Sequence, residues 1–358
     1  MYESYDVLKI KEKSGIDSAR RELESRRTHR EKLPLPGLEH TALYMVRTDD
    51  IAERLLSIEH LYQRLDSRRK VKEVILLDAY HSATIEGART TVENVRRAYE
   101  NPRSKDDKMV VNTIHAMNYA YETPIRIHNI RSLWEIVTKD VCENAHLSGE
   151  LFRDGMVYVG SRTEIIHTPA RPEQIKAAME KLFHFFEENE YDIWLRTAVF
   201  HFYFAYIHPF CDGNGRMVRI LTQSCLYHCG KEKIKYLPLS RAINQRLSGY
   251  YQTLKESERI LVNGEKWIDI TPFLDYFLEI VEESMITSMK EDQHLSENEK
   301  IIIHKMRKRG KGAELNRTAA AKILSVSEQA AGKLLNALVE KEYLDKVRRG
   351  RKYIFILK

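Results

Sequence analysis

With 358 residues, 43% of them hydrophobic and 31% charged, the chain is long enough for two or three domains and apolar enough to bury a core. It has no run approaching the roughly 20 apolar residues of a membrane helix, no apolar signal core in "MYESYDVLKIKEKSG", and only four cysteines without a disulfide framework, all of which points to a cytoplasmic protein with no membrane partner. The net charge of +6 is uneven: residues 295–358 hold 16 Lys+Arg against 7 Asp+Glu, so the excess base belongs to the tail.

Residues 1–40 read as charged and irregular, with "EKLPLPGL" as a Pro-stiffened connector. From Asp50 to about Glu86 apolar residues recur at helical spacing, which predicts two helices with "DSRR" between them and Gly87 as the C-terminal stop. Residues 89–155 read as further helix, broken near Pro102 and Pro124. The segment "GMVYVGSRTEIIHTP" (155–169) has β-branched and aromatic residues on both sides of a Gly-Ser turn, the one good hairpin signal in the chain. Helix resumes from Pro172, again over 193–207, and then over 215–229, 240–257 and 268–290. Cys225, His228 and Cys229 lie on one such helix with no partner pair elsewhere, a pattern that favours buried thiols over a metal site.

Between two of these helices stands "IHPFCDGNGRMVRI", Ile207–Ile220. His208 falls where an apolar helix ends, so its imidazole is held at a fixed place. Asp212 is an oxygen ligand of the kind Mg²⁺ uses when it shares its shell with substrate phosphates. Gly213 and Gly215 let backbone N–H groups approach an anion, and Asn214 adds a side-chain amide. The following helix favours negative charge at its N-terminus, and Arg216 and Arg219 lie three apart on it, both able to grip phosphate. Base, metal ligand, anion nest and two arginines describe a site for a phosphate-containing substrate.

Further along, residues 295–358 form a separate unit. Ser296 and Glu299 make a capping box ahead of a first helix. Two more helices follow, then a strand, an Arg-Gly-Arg turn and a strand, which is the winged helix-turn-helix order. Such a unit contacts DNA through its third helix, 327–341, and the basic turn 348–352, or else serves as a protein-docking or dimer module.

The stretch "HPFCDGNGRMVR" resembles the signature of Fic-domain proteins at all nine defined positions. The resemblance implies a mainly α fold: a Fic-type helical bundle with a β-hairpin flap, followed by the small C-terminal winged helix. It implies transfer of AMP from ATP, with Mg²⁺, to a Ser, Thr or Tyr hydroxyl of a target protein. In that reading His208 is the base and Asp212 holds Mg²⁺. Gly213, Asn214 and Gly215 cradle the α- and β-phosphates, and Arg216 and Arg219 take the phosphates, Arg219 the γ-phosphate. The hairpin would be the target-docking flap, through Val157, Tyr158, Val159, Ile166 and His167. Tyr250 or Tyr251 would stack on the adenine, although either would serve equally as core.

Upstream, "HSATIEG" resembles the family's inhibitory motif, with Ser82, Glu86 and Gly87 in its defined positions. Ser82 and Glu86 share a helix face, and Glu86 would pair with Arg219 in place of the γ-phosphate. The implied layout is an N-terminal helical region, 1–110, with the inhibitory helix at about 70–87, a catalytic core, 111–290, and the winged helix, 295–358. Three alternatives stay open: a DNA-binding regulator whose core senses nucleotide, a transferase of UMP or phosphocholine, and an enzyme that removes AMP. A homodimer is a family habit.

Overall fold

Helices dominate the computed structural model, which describes residues 5–38, 41–65, 71–160, 165–188, 190–258, 260–262, 266–310, 312–340, 343–350 and 352–357. The chain divides into two units, Met1–Met285 and Ile286–Lys358.

The first unit begins with α1 (Tyr5–Lys13), α2 (Asp17–Thr28), β1 (Arg30–Pro36) and β2 (Ala42–Val46). Within 1–40, which the sequence marked as irregular, the described residues are therefore mostly helix and strand. Their helices are so charged that the apolar stripe shrinks to Leu8, Ala19 and Leu23, which form a small cluster of their own. The Pro-rich stretch is a strand, with Leu33 and Leu35 buried and alternate residues exposed. It lies at the edge of its sheet, where missing N–H groups are tolerated.

Next come α3 (Asp49–Arg64), α4 (Val71–Ile85), α5 (Val92–Ala98), α6 (Lys105–Glu122) and α7 (Ile130–Thr138). The expected pair of helices over 50–86 is present as α3 and α4, while "DSRR" lies outside the described residues. Thr48 caps α3 by accepting from the Ile51 N–H, which sets its first turn. Helix α4 ends in a Schellman turn: Gly87, at φ 91°, lets the Ala88 N–H reach the Ala83 carbonyl at 3.0 Å.

After these, β3 (Val159–Gly160) and β4 (Ile165–His167) form a short antiparallel ribbon. Then follow α8 (Pro172–Glu188), α9 (Ile193–Ile207), α10 (Asn214–His228), α11 (Leu239–Gln245), α12 (Leu247–Ser257), β5 (Ile260–Val262), β6 (Lys266–Asp269) and α13 (Thr271–His294). Helix α9 is apolar on every face and buried along nearly its whole length, which makes it the central helix of the bundle. It packs against α8 and α10, and α6 packs against α4, α7 and α10.

The hairpin is not the only sheet. Strands β1, β2, β6 and β5 make a four-stranded sheet in that order. Its middle pair, β2 and β6, is parallel, with Ala42 opposite Trp267.

In the second unit α14 (Glu297–Arg307), β7 (Glu314–Leu315), α15 (Arg317–Leu324), α16 (Glu328–Glu340), β8 (Leu344–Arg349) and β9 (Lys352–Leu357) follow in order. The capping box of Ser296 and Glu299 is present. Strand β9 lies between β7 and β8, and Ile302, Met306, Leu335, Leu338 and Phe355 form a core inside this unit. No helix among the described residues is long and apolar enough to cross a membrane.

Candidate active site

Helix α9 stops at His208, which adopts a left-handed conformation at φ 54°. A non-glycine residue there is strained, as is common at functional sites. Two contacts hold the turn: the His208 N–H donates to the Phe204 carbonyl at 3.0 Å, and the Arg153 Nε donates to the His208 carbonyl at 2.8 Å. The ring is half-buried. Burial pushes its pKa down to about 4, so the imidazole is neutral near pH 7. Its Nδ1 faces the Ala205 carbonyl at 3.3 Å, an acceptor only, which assigns the proton to Nδ1 and leaves Nε2 as the base.

From His208 the loop turns into α10 through Asp212 and Gly213. One Asp212 oxygen accepts from the Gly213 N–H at 2.5 Å and the other from the Glu143 N–H at 3.1 Å. Trp134, on α7, donates to the Asp212 carbonyl at 2.9 Å and stacks on Phe210. Gly213 sits at φ 78°, and a Cβ there would meet the Thr138 methyl at 2.9 Å, so glycine is required on both counts. Asn214 is turned to a different use from the expected anion donor. Its amide donates to the Phe210 carbonyl at 2.7 Å and its oxygen accepts from the Phe210 N–H at 2.9 Å. The side chain thus staples the loop to the start of α10.

No side chain caps α10, so its first-turn N–H groups keep their affinity for an anion. Both arginines are nearly fully buried, each 2% exposed. Arg216 donates through Nη1 to the Val137 carbonyl at 2.7 Å, while its Nε is buried without a hydrogen-bond partner. A buried guanidinium N–H left unpaired is costly unless a ligand completes it.

Arg219 is held from the N-terminal side by three hydrogen bonds. Its Nε donates to Ser82 Oγ at 2.9 Å, and its Nη2 donates to the Ser82 carbonyl at 2.8 Å and to Glu86 Oε1 at 2.9 Å. The Glu86 carboxylate also lies over the loop. A Cβ built on Gly215 would stand 2.0 Å from Glu86 Oε1. Ser82 and Glu86 thus both contact Arg219, and the Glu86 carboxylate lies over the first turn of α10. A third contact on the same face of α4 was not foreseen. Asp78, four residues before Ser82 and 2% exposed, accepts from the Ser240 N–H, the Ser240 hydroxyl and Gln223. Burial raises its pKa to about 6.

The two tyrosines separate. Tyr250 is buried, at 3% exposed, with its hydroxyl 2.7 Å from His201 Nε2. That makes it core and removes it from the base-stacking candidates. Tyr251 is 48% exposed, and its phenol lies in the field of Glu86 and Arg219, so it keeps that place.

In the ribbon Val159 pairs with His167. Val157 and Tyr158 precede β3 rather than belonging to it, residues 161–164 lie outside the described residues, and the side chain of Ile166 is likewise not described. Tyr158 and Ile165 are exposed at 58% and 60%. His167 is anchored inward: Nδ1 is 2.7 Å from Glu258 Oε2 and Nε2 is 2.7 Å from the Tyr206 carbonyl. Burial opposes its charge, but Glu258 outweighs burial and the pKa is raised. Two acceptors on one ring require the imidazolium.

For Mg²⁺ the residues present fit a shared site rather than a protein cage. Among the described residues no cluster of three or more His, Cys, Asp or Glu could hold a metal. Asp212, whose carboxylate oxygens each accept one backbone N–H and keep further lone pairs, would supply the one carboxylate that an ion bound through substrate phosphates needs.

Residues 124–226 match the Fic/DOC family. The chain is 29% identical over 266 residues to the protein adenylyltransferase Fic of Drosophila virilis, covering 67% of this chain and 50% of that protein. It is 30% identical over 254 residues to the same-named protein of Drosophila grimshawi, covering 67% and 48%. The chain thus spans about half the length of the curated relatives it matches. A Fic family protein from Desulfovibrio desulfuricans aligns over 87% of this chain and 97% of its own, with a TM-score of 0.60 at 20% identity. Fic-1 from C. elegans aligns over 68% and 73%, with a TM-score of 0.54 at 19% identity. These likenesses establish the fold, a mostly helical bundle with small sheets.

Proposed function

We propose that this chain, which carries a Fic domain, transfers AMP from ATP to a Ser, Thr or Tyr hydroxyl of a target protein or of itself, and that Glu86 holds the reaction off. The observation that carries this reading is a neutral imidazole at the mouth of a nest containing one unpartnered arginine N–H and one arginine already holding an acid.

The chemistry follows from the parts. His208 Nε2 takes the proton of the target hydroxyl, whose oxygen attacks the α-phosphorus as pyrophosphate leaves. The first-turn N–H groups of α10, Arg216 and Arg219 stabilise the charge on the phosphates in a site where they need not reorganise. Mg²⁺, held by Asp212 and by phosphate oxygens, would neutralise part of that charge. The target's backbone would lie along the ribbon beside Tyr158 and Ile165, with β-augmentation as its mode of docking.

The brake reading rests on Glu86. With Glu86 in place, Arg219 Nη2 already donates to a carboxylate where the γ-phosphate would lie, so ATP settles in an unproductive pose. The layout that goes with this is a helical region, 1–110, with α4 as inhibitory helix, and a catalytic core, 111–290.

Residues 295–358 are proposed as a winged helix. Arg349 is already paired with Glu314, so DNA contact would rest on the third helix, 327–341, and the remaining basic residues of 348–352. A slope of log K against log salt near zero would remove DNA as partner and leave protein docking.

The transfer reading is tested with Glu86→Gly protein and ATP labelled at either the α- or the γ-phosphate. Protein labelled only by the α-label supports AMP transfer. Labelling from the γ-position contradicts it. No labelling points to another donor, to AMP removal or to a nucleotide-sensing regulator.

A further inference from the structure

Arg153 lies outside every motif, yet its guanidinium is 2% exposed and, among the described residues, no carboxylate pairs with it. Burying a charge without a counter-charge is expensive. A residue that merely filled space there would be better apolar, so its hydrogen bonds identify its use. Nε donates to the His208 carbonyl at 2.8 Å and Nη1 to the Gly155 carbonyl at 2.9 Å, and Nη2 donates to the Ala170 carbonyl. The Arg153 N–H adds a bond to the Pro209 carbonyl at 3.0 Å.

Gly155 and Ala170 are the two feet of the segment that carries β3 and β4. One planar fork therefore gathers both feet of the flap and the strained residue that bears the base. His167 ties the same ribbon to the Tyr206 carbonyl, two residues before His208.

We propose that Arg153 is a positioning residue that sets the reach from the flap's docking edge to the catalytic imidazole. The proposal rests on the reading of His208 as base and of β3–β4 as docking edge. Arg153 makes no hydrogen bond to Asp212, Gly213, Arg216 or Arg219, so it acts on placement of the hydroxyl and not on ATP. Lysine cannot replace it: a single ammonium keeps the charge but lacks the fixed fork that holds three carbonyls at once.

The experiment compares Arg153→Met and Arg153→Lys, each in the Glu86→Gly protein, by hydrogen exchange and by ATP titration. Arg153→Met is expected to speed exchange in 155–160, 165–170 and 205–210 together, by roughly tenfold, and to leave α8 and ATP affinity unchanged. Arg153→Lys folds more readily and is expected to show the same pattern at smaller size. In transfer assays both variants lower kcat and raise KM for the target while KM for ATP stays put. Three results overturn the proposal: exchange rising in only one of the segments, exchange rising equally in α8, or ATP affinity falling in step. Absence of AMP transfer in the parent Glu86→Gly protein would contradict the transferase reading, whereas the exchange pattern decides the role of Arg153 on its own.

Discussion

Replacing Glu86 with glycine removes one arm of the Arg219 cluster, and the size of the effect can be worked from its geometry. Arg219 is 2% exposed and the Glu86 side chain 30%, at 2.9 Å. A charged hydrogen bond of this kind contributes about 1.5–3 kcal/mol, less than a fully buried pair because Glu86 still meets water. Arg219 keeps both of its bonds to Ser82, so the variant should fold, with unit one weakened by about 2 kcal/mol. The one Nη2 N–H released by Glu86 then gains its full value only when an anion returns. ADP lacks that anion and ATP supplies it. In the wild type the two nucleotides should bind almost equally, because Glu86 already occupies the arginine. In Glu86→Gly, ATP should bind more tightly than ADP by about 1–3 kcal/mol, roughly 5–150-fold. Calorimetric titration of both proteins with both nucleotides measures this. An ATP-to-ADP ratio that is the same in the two proteins would refute the claim that Glu86 stands in for the γ-phosphate.

Three further outcomes follow from the same structure. Because the His208 pKa sits at about 4 and Glu86 holds it up rather than down, the acid limb of the pH–rate profile of Glu86→Gly should lie near or below pH 4, with activity flat through neutrality. A limb near 6.5 would mean a solvated imidazole. Tyr250→Phe should cost about 1 kcal/mol in a urea melt and leave ATP affinity unchanged, whereas Tyr251→Ala should weaken ATP by about 1–3 kcal/mol if it stacks on the base. His201 is fully buried, with its pKa lowered to about 3 by burial and then by Arg219. A group depressed on folding contributes stability above its unfolded pKa and loses it as pH falls. Acidifying from 6.5 to 5 should therefore cost about 2 kcal/mol through this residue, a slope that His201→Gln flattens in denaturant melts.

What the sequence disclosed and what it hid divide along the range of the interactions. The loop from His208 to Arg219 and the Ser82–Glu86 pair are each contiguous in the sequence, so residue type and resemblance to a family's motifs were enough to place them. The four-stranded sheet was invisible because it joins β2 to β6, with Ala42 against Trp267, and no periodicity links segments that far apart. Asn214 looked like a donor because residue type does not reveal that Phe210's own backbone claims it. Tyr250 and Tyr251 are consecutive, so one faces inward and the other outward, and only packing decides which. Arg153 and Asp78 could not have been found. An isolated arginine or aspartate is read as surface, and their meaning comes from carbonyls and donors brought in by distant elements.

The most direct test of the account is labelling with α-phosphate-radiolabelled ATP and Mg²⁺ of three proteins: wild type, Glu86→Gly, and Glu86→Gly with His208→Ala. The account predicts strong label in Glu86→Gly, little in the wild type, and none in the double variant. Equal label in wild type and Glu86→Gly would contradict the brake, and label persisting in the double variant would contradict His208 as the base.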